Sequence, residues 1–154
     1  MATVCQLTSQ FQESPACLYQ MFTENIQQAQ RLGTRWDVIQ EENFQLANGG
    51  IVKQVIGYSS AFARVDGMGG FVNFVVRFTT DGVTTEVDVT VSSPYQSRKK
   101  HSSYDRRNHH VALRLLEFCV APYSEIHTHL NFVKRVLSGF LPHPTSSSAT
   151  LQEP

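Results

Sequence analysis

Between Trp36 and Val91 the chain turns to β-branched and aromatic residues at a period of two, punctuated by glycine, and no other stretch narrows the fold as much. The pattern predicts four strands near 36–46, 51–65, 71–78 and 83–91. They are joined at Asn48-Gly49-Gly50, at Asp66-Gly67-Met68-Gly69-Gly70 and at Asp81-Gly82. The last junction carries the strongest signal, because Asp-Gly between Thr80 and Val83 supplies the positive φ angles of a tight hairpin. Val83, Thr85, Val87, Val89 and Val91 face one way, with Thr84, Glu86, Asp88 and Thr90 on the other side. A sheet with one apolar and one polar face is antiparallel and covered on a single side.

The cover has to come from helices. Ser14 followed by Pro15 is a helix-start signal and Gly33 a stop, and between them Leu18, Phe22, Ile26 and Ala29 recur at helical spacing. Beyond the sheet, Asn108 is expected to cap a helix with an apolar stripe of Ala112, Leu115, Leu116 and Cys119 that ends before Pro122. Ser124 then caps another, with Ile126, Leu130, Val133, Leu137 and Phe140 on one side and Gly139 near its end. The fold class is therefore α+β, a two-layer sandwich with an N-terminal helix, a four-stranded antiparallel meander and two C-terminal helices. Residues 14–141 form a single domain, 1–13 an N-terminal extension, and 142–154, rich in Ser, Thr and Pro, a disordered tail.

At 154 residues the chain has the size of one domain, and 41% hydrophobic with 17% charged residues is an ordinary globular composition. No apolar run approaches the roughly 18 residues of a membrane span, and the stretch from Met1 to Phe11 has neither a basic start nor an apolar core. Cys5, Cys17 and Cys119 are odd in number and form no CxxC pair, and no Asn-x-Ser/Thr acceptor occurs. These features predict an intracellular protein, cytoplasmic or nuclear, that does not engage a membrane.

The formal net charge of +0 conceals a polarised chain: residues 98–114 hold six Lys or Arg against one acid, while residues 1–97 hold five basic against nine acidic residues. Clustered like charge has to be solvated or matched by an anionic partner. Arg98, Lys99, Lys100, Arg106 and Arg107 precede or open a helix, where free backbone amides and the helix dipole favour an anion such as a phosphate backbone. His101, Tyr104, His109 and His110 interleave rings that can stack on exposed bases. These nine residues are the candidate nucleic-acid-binding set, and RNA is the expected partner. A solvated loop that keeps the domain soluble is the bland use of the same charges.

A helix, a meander with an Asp-Gly hairpin and a basic run opening the next helix resemble the double-stranded RNA-binding domain over residues 14–120. That resemblance implies that the lysine and arginine positions at the start of the helix grip phosphates across a groove. The chain departs from it in an additional early strand, a third helix, the absence of Gly-Pro-x-His in the 66–70 turn and a long loop before the basic helix. The same order of elements is similar to the RWD domain and its relatives of the ubiquitin-conjugating fold, with Pro94-Tyr95 in the place of a proline and tyrosine turn. Residues 92–108 hold neither a cysteine nor a His-Pro-Asn element, so this resemblance implies a non-catalytic scaffold that binds another protein.

All six histidines, His101, His109, His110, His127, His129 and His143, lie at residue 101 or beyond, yet none stands at paired ligand spacing with a second histidine or a thiolate. His127 and His129 are two apart on a predicted helix and face different directions. Cys119 lies on an apolar stripe, and the 67–70 glycines precede a strand-like run, out of context for a phosphate loop. No metal, cofactor or catalytic residue is expected, and the chain reads as a binding domain and not an enzyme.

Overall fold

The computed structural model describes residues 4–45, 47, 50–62, 70–93, 101–126 and 149–152, with the main chain alone at 51, 101–105 and 149–152. The elements run β1 (Val4–Phe11), α1 (Pro15–Arg31), β2 (Trp36–Gln45), β3 (Ile51–Ser59), β4 (Val72–Thr80), β5 (Thr85–Ser92), α2 (His101–Val120), a 3-10 turn (Tyr123–Glu125) and β6 (Ala149–Gln152). The sheet order is β2-β3-β4-β5-β1-β6, with every neighbouring pair antiparallel.

The α+β class and the four-stranded meander β2 to β5 agree with expectation, and the sheet is larger than expected. Val4–Phe11, expected as an extension, is a full strand that pairs with β5 from Val4↔Ser92 to Phe11↔Thr85. Its inward residues Leu7, Ser9 and Phe11 are buried, but Gln6, Thr8 and Gln10 alternate with them, and a serine at one inward position weakens the apolar period. Ala149–Gln152, part of the expected disordered tail, pairs with the other edge of β1. Backbone hydrogen bonding recruits a strand here without the apolar composition that a sequence pattern needs.

A row of fully buried side chains, Leu7, Val89, Val76 and Val55, crosses four strands in register. Both helices pack on the sheet and against each other. The β1–β5 pair carries polar side chains on the face turned away from that core: Asp88 accepts from Gln6 at 2.7 Å and from Thr8 at 3.0 Å.

Helix α1 forms as its sequence dictates. The Ser14 hydroxyl accepts from the Cys17 amide at 3.2 Å, Pro15 occupies the first turn, and Gly33 takes φ 86° after the last turn. Leu18, Phe22, Ile26 and Ala29 are buried as expected, and Asn25 is buried among them.

The Asp81-Gly82 hairpin is looser than expected. Only Gly82 has positive φ, at 97°, and the Asp81 carboxylate accepts from the amides of Val83 and Thr84, so the strands close at Thr80↔Thr85 and Val83 is exposed in the turn. Strand β3 stops at Ser59, short of 65: the Ser59 hydroxyl donates to the Arg35 carbonyl and accepts from the Ala61 amide, which turns the chain.

Helix α2 starts at His101, seven residues before the expected cap, so Asn108 lies inside the helix. Its burial exceeds one stripe: besides Ala112, Leu115, Leu116 and Cys119, the residues Val111, Leu113, Phe118 and Val120 are buried. Trp36 fills the space between sheet and helix, its ring 5.2 Å from that of Phe118 and 6.4 Å from that of Phe74. Ser124 sits in the 3-10 turn Tyr123–Glu125, and the helix expected after it lies outside the described residues beyond Ile126. The 66–69 glycine loop and most of the 48–50 turn lie outside them as well.

Candidate functional site

Two buried polar residues fix the first half of α2 on the sheet. Arg107 is 2% exposed and donates through Nη2 to the Gly70 carbonyl at 2.7 Å and through Nε to the Ala61 carbonyl at 3.4 Å. Asn108 is fully buried and accepts from the Ser93 hydroxyl at 2.9 Å, just past the end of β5. A buried guanidinium is tolerable only when carbonyls or carboxylates take its protons, and these contacts tie the helix to both ends of the 61–70 connection.

The basic segment therefore divides. Arg98, Lys99 and Lys100 lie outside the described residues. The main chain of His101 and Tyr104 forms the start of α2, whose first turn holds no acidic residue; their side chains lie outside the description. Arg106 is exposed. Arg107 faces inward, a correction to its place in the expected anion-binding set: it follows Arg106 on a helix, and the next residue along the helix points about 100° away. Arg114, the sixth cation of the run, is also drawn inward, its Nε 3.2 Å from Glu117 and its guanidinium 5.5 Å above the Phe62 ring. Sequence counting overstates the surface charge because it cannot separate solvated cations from those that satisfy interior acceptors.

Of the histidines in the set, His109 and His110 are half-buried in different surroundings. His110 meets the Phe62 ring edge-on at 6.0 Å between centroids. Phe62 itself has φ 60°, an uncommon backbone for an aromatic residue, and also packs against Trp36 at 6.5 Å. His109 places Nδ1 3.8 Å from Sγ of Cys5 on β1. The sequence brings Cys5 forward only as one of three cysteines outside any CxxC pair, and Phe62 not at all; the only trace of Cys5's inward setting is its place two residues before Leu7. Among the described residues no three His, Cys, Asp or Glu side chains gather as a metal would require. The Cys119 thiol donates to the Leu115 carbonyl at 3.4 Å.

A second feature lies at the far edge of the sheet. Among the described residues β2 pairs only with β3, and Ile39 and Phe44 on it are 63% and 44% exposed. A groove of about 280 Å³ separates it from α1, with Phe22, Ile26 and Val38 at its base and Gln27, Gln30 and Glu41 at its rim. The Tyr19 hydroxyl donates to Glu41, and burial together with that carboxylate pushes the phenol above its ordinary ionisation range. The Lys53 ammonium sits 4.0 Å from the centre of the same ring.

No helix among the described residues is long and apolar enough to cross a membrane. Comparison of this chain with protein families, with curated proteins and with solved structures finds no match.

Proposed function

We propose that the chain is a non-enzymatic binding domain that engages an anionic macromolecule, RNA first, through the basic segment leading into α2. The observation that carries this reading is the start of α2 at His101. Arg98, Lys99 and Lys100 directly precede its first turn, which contains no acid to neutralise the free amides and the positive end of the helix dipole. Arg106, exposed on the same helix, adds a cation. The working set is accordingly Arg98, Lys99, Lys100 and Arg106, with Arg107 serving the fold.

Fluorescence anisotropy with short RNA duplexes and single strands over a salt series tests the reading. Replacing Arg98, Lys99 and Lys100 by alanine together should weaken binding to all sequences and flatten the salt dependence by about two to three units of logarithmic slope, since each phosphate contact releases counterions. Unchanged affinity with a native circular dichroism spectrum removes RNA from first place.

The second reading, a protein-binding scaffold, is favoured by the edge of β2, which among the described residues pairs on one side only, with exposed Ile39 and Phe44 beside the α1–β2 groove. The Val38/Gln40 bulge and the exposed carboxylate of Glu41 restrict what can pair there. A partner captured by the wild-type chain and lost with Ile39→Glu, while RNA affinity stays absent, supports this reading over the first.

A further inference from the structure

The three cysteines occupy three different surroundings. Cys119 is fully buried in α2, and burial drives its ionisation far upward, so its thiol stays protonated and inert. Cys17 is exposed in the first turn of α1. Cys5 is half-buried on β1, with its sulfur 3.8 Å from Nδ1 of His109, a residue 104 positions away in the sequence. We propose that Cys5 and His109 form a thiol-modification site in which the imidazole takes the thiol proton and the sulfur exchanges with low-molecular-weight disulfides of the glutathione type.

The geometry that supports this is held from both sides. Cys5 is fixed by strand pairing, Cys5↔Val91, in the same β1–β5 ladder that ends at Ser92. One residue further, Ser93 is bonded to Asn108, the residue before His109, and Arg107 is bonded to the Gly70 carbonyl. The histidine therefore approaches the sulfur from a helix anchored at two consecutive positions. This is the arrangement that a base-assisted nucleophile needs: donor and acceptor within reach and neither free to drift.

The exchange balances without any further reagent. With Nε2 carrying the ring proton, Nδ1 acts as the acceptor facing the sulfur, and the Cys5 S–H proton passes to it. The thiolate attacks one sulfur of the external disulfide; the new bond from Cys5 forms as the external sulfur–sulfur bond breaks. The departing thiolate takes up the proton from the imidazolium. Cys5 is oxidised to a mixed disulfide, one half of the reagent is reduced to a free thiol, and a reducing thiol reverses the reaction.

The test compares folded and unfolded protein. The full chain is treated with oxidised glutathione at pH 7, and the adduct is located and timed by peptide mass spectrometry, with and without denaturant. A half-buried thiol without a base is protected by folding. Cys5 should instead react at least fivefold faster in the folded state than in the unfolded state, and Cys119 should react only on unfolding. His109→Gln should lower the folded-state rate at Cys5 about tenfold and leave Cys17 unchanged. Slower reaction of Cys5 in the folded wild-type chain than in the unfolded one overturns the proposal, whether or not the histidine variant folds. So does a natively folded His109→Gln protein with an unaltered Cys5 rate.

Discussion

Asn25 of α1 donates through Nδ2 to the main-chain carbonyl of Phe118 at 2.8 Å, and the same nitrogen reaches the Ala121 carbonyl at 2.7 Å. One helix thus caps the C-terminal end of the other with a side chain. The last carbonyls of α2 have no partner within their own helix, and at this depth water cannot serve them. Asn25→Ala should cost about 2 to 3 kcal/mol, because it strands two buried acceptors. Asn25→Asp should cost no less, since a carboxylate offers these carbonyls no proton. Urea denaturation monitored by circular dichroism gives both values; a loss below about half a kcal/mol would mean that solvent reaches the end of α2.

Gly57 of β3 leaves room for nothing larger. A β-carbon there would lie 2.2 Å from the Asp37 carbonyl oxygen and 2.5 Å from Cζ of Phe74. Two things crowd the site: the Phe74 ring lies over the strand, and β2 shifts register between Val38 and Gln40, beside the Val38↔Gly57 pair. Gly57→Ala should therefore destabilise by about 3 kcal/mol or more, near the upper end of overpacking costs, despite alanine's smaller loss of backbone entropy. A thermal melt reads the outcome, and a neutral substitution would require Phe74 to have another rotamer available.

The degree to which the sequence anticipated this molecule follows from where each signal is local. Helix α1 was legible from end to end because Ser14, Pro15 and Gly33 carry their instructions in their own chemistry. The strands β4 and β5 were the most legible, because Val72, Phe74, Val76 and Phe78, and then Val87, Val89 and Val91, recur at every second position. Strand β1 was not: Gln6, Thr8, Ser9 and Gln10 give no apolar majority, and what makes the segment a strand is the row of backbone partners offered by β5, some eighty positions away. The start of α2 was hidden for a similar reason. His101 to Asn108 is polar throughout, and two of its polar side chains, Arg107 and Asn108, are buried because acceptors and donors from Ala61, Gly70 and Ser93 meet them. The candidate site inherits that limit. Its charge was visible in sequence, but the division of that charge between solvent and interior was set by tertiary contacts.

Ser9 is fully buried on β1, and its hydroxyl has no hydrogen-bond partner among the described residues. Desolvating a hydroxyl without a replacement bond is unfavourable, so Ser9→Ala should be neutral or stabilising by up to about 1 kcal/mol. Differential scanning calorimetry should show an equal or higher melting temperature. A drop of several degrees would indicate that the hydroxyl is bonded.

The β4–β5 turn should respond to acid. Asp81 accepts from the amides of Thr84 and Val83, and these bonds hold its carboxyl below the ordinary aspartate range. A depressed folded-state value means that the contribution to stability is fully present above the unfolded-state value of about 4 and fades as the pH falls through the lower folded-state value. Asp81→Ala should remove that component: the variant and wild type should differ at neutral pH and converge on acidification. Curves that stay parallel down to low pH would show that the turn does not depend on the charge.

Arg106 and Arg107 are adjacent in sequence and should separate cleanly in experiment. Arg107 is spent inside, on the carbonyls of Gly70 and Ala61, whereas Arg106 is exposed. Arg107→Ala should cost about 2 to 4 kcal/mol, because it strands buried carbonyls and loosens the joint between α2 and the 61–70 connection. Arg107→Lys should recover little of this, since one ammonium cannot reproduce the fork that spans both acceptors. Arg106→Ala should leave the unfolding midpoint within about half a kcal/mol of wild type while lowering RNA affinity and reducing its salt slope by about one unit. Parallel urea titrations and RNA titrations of the two variants decide the matter. Equal stability of both would mean that Arg107 is not anchored where these contacts put it, and equal RNA affinity of Arg106→Ala and wild type would remove Arg106 from the binding surface.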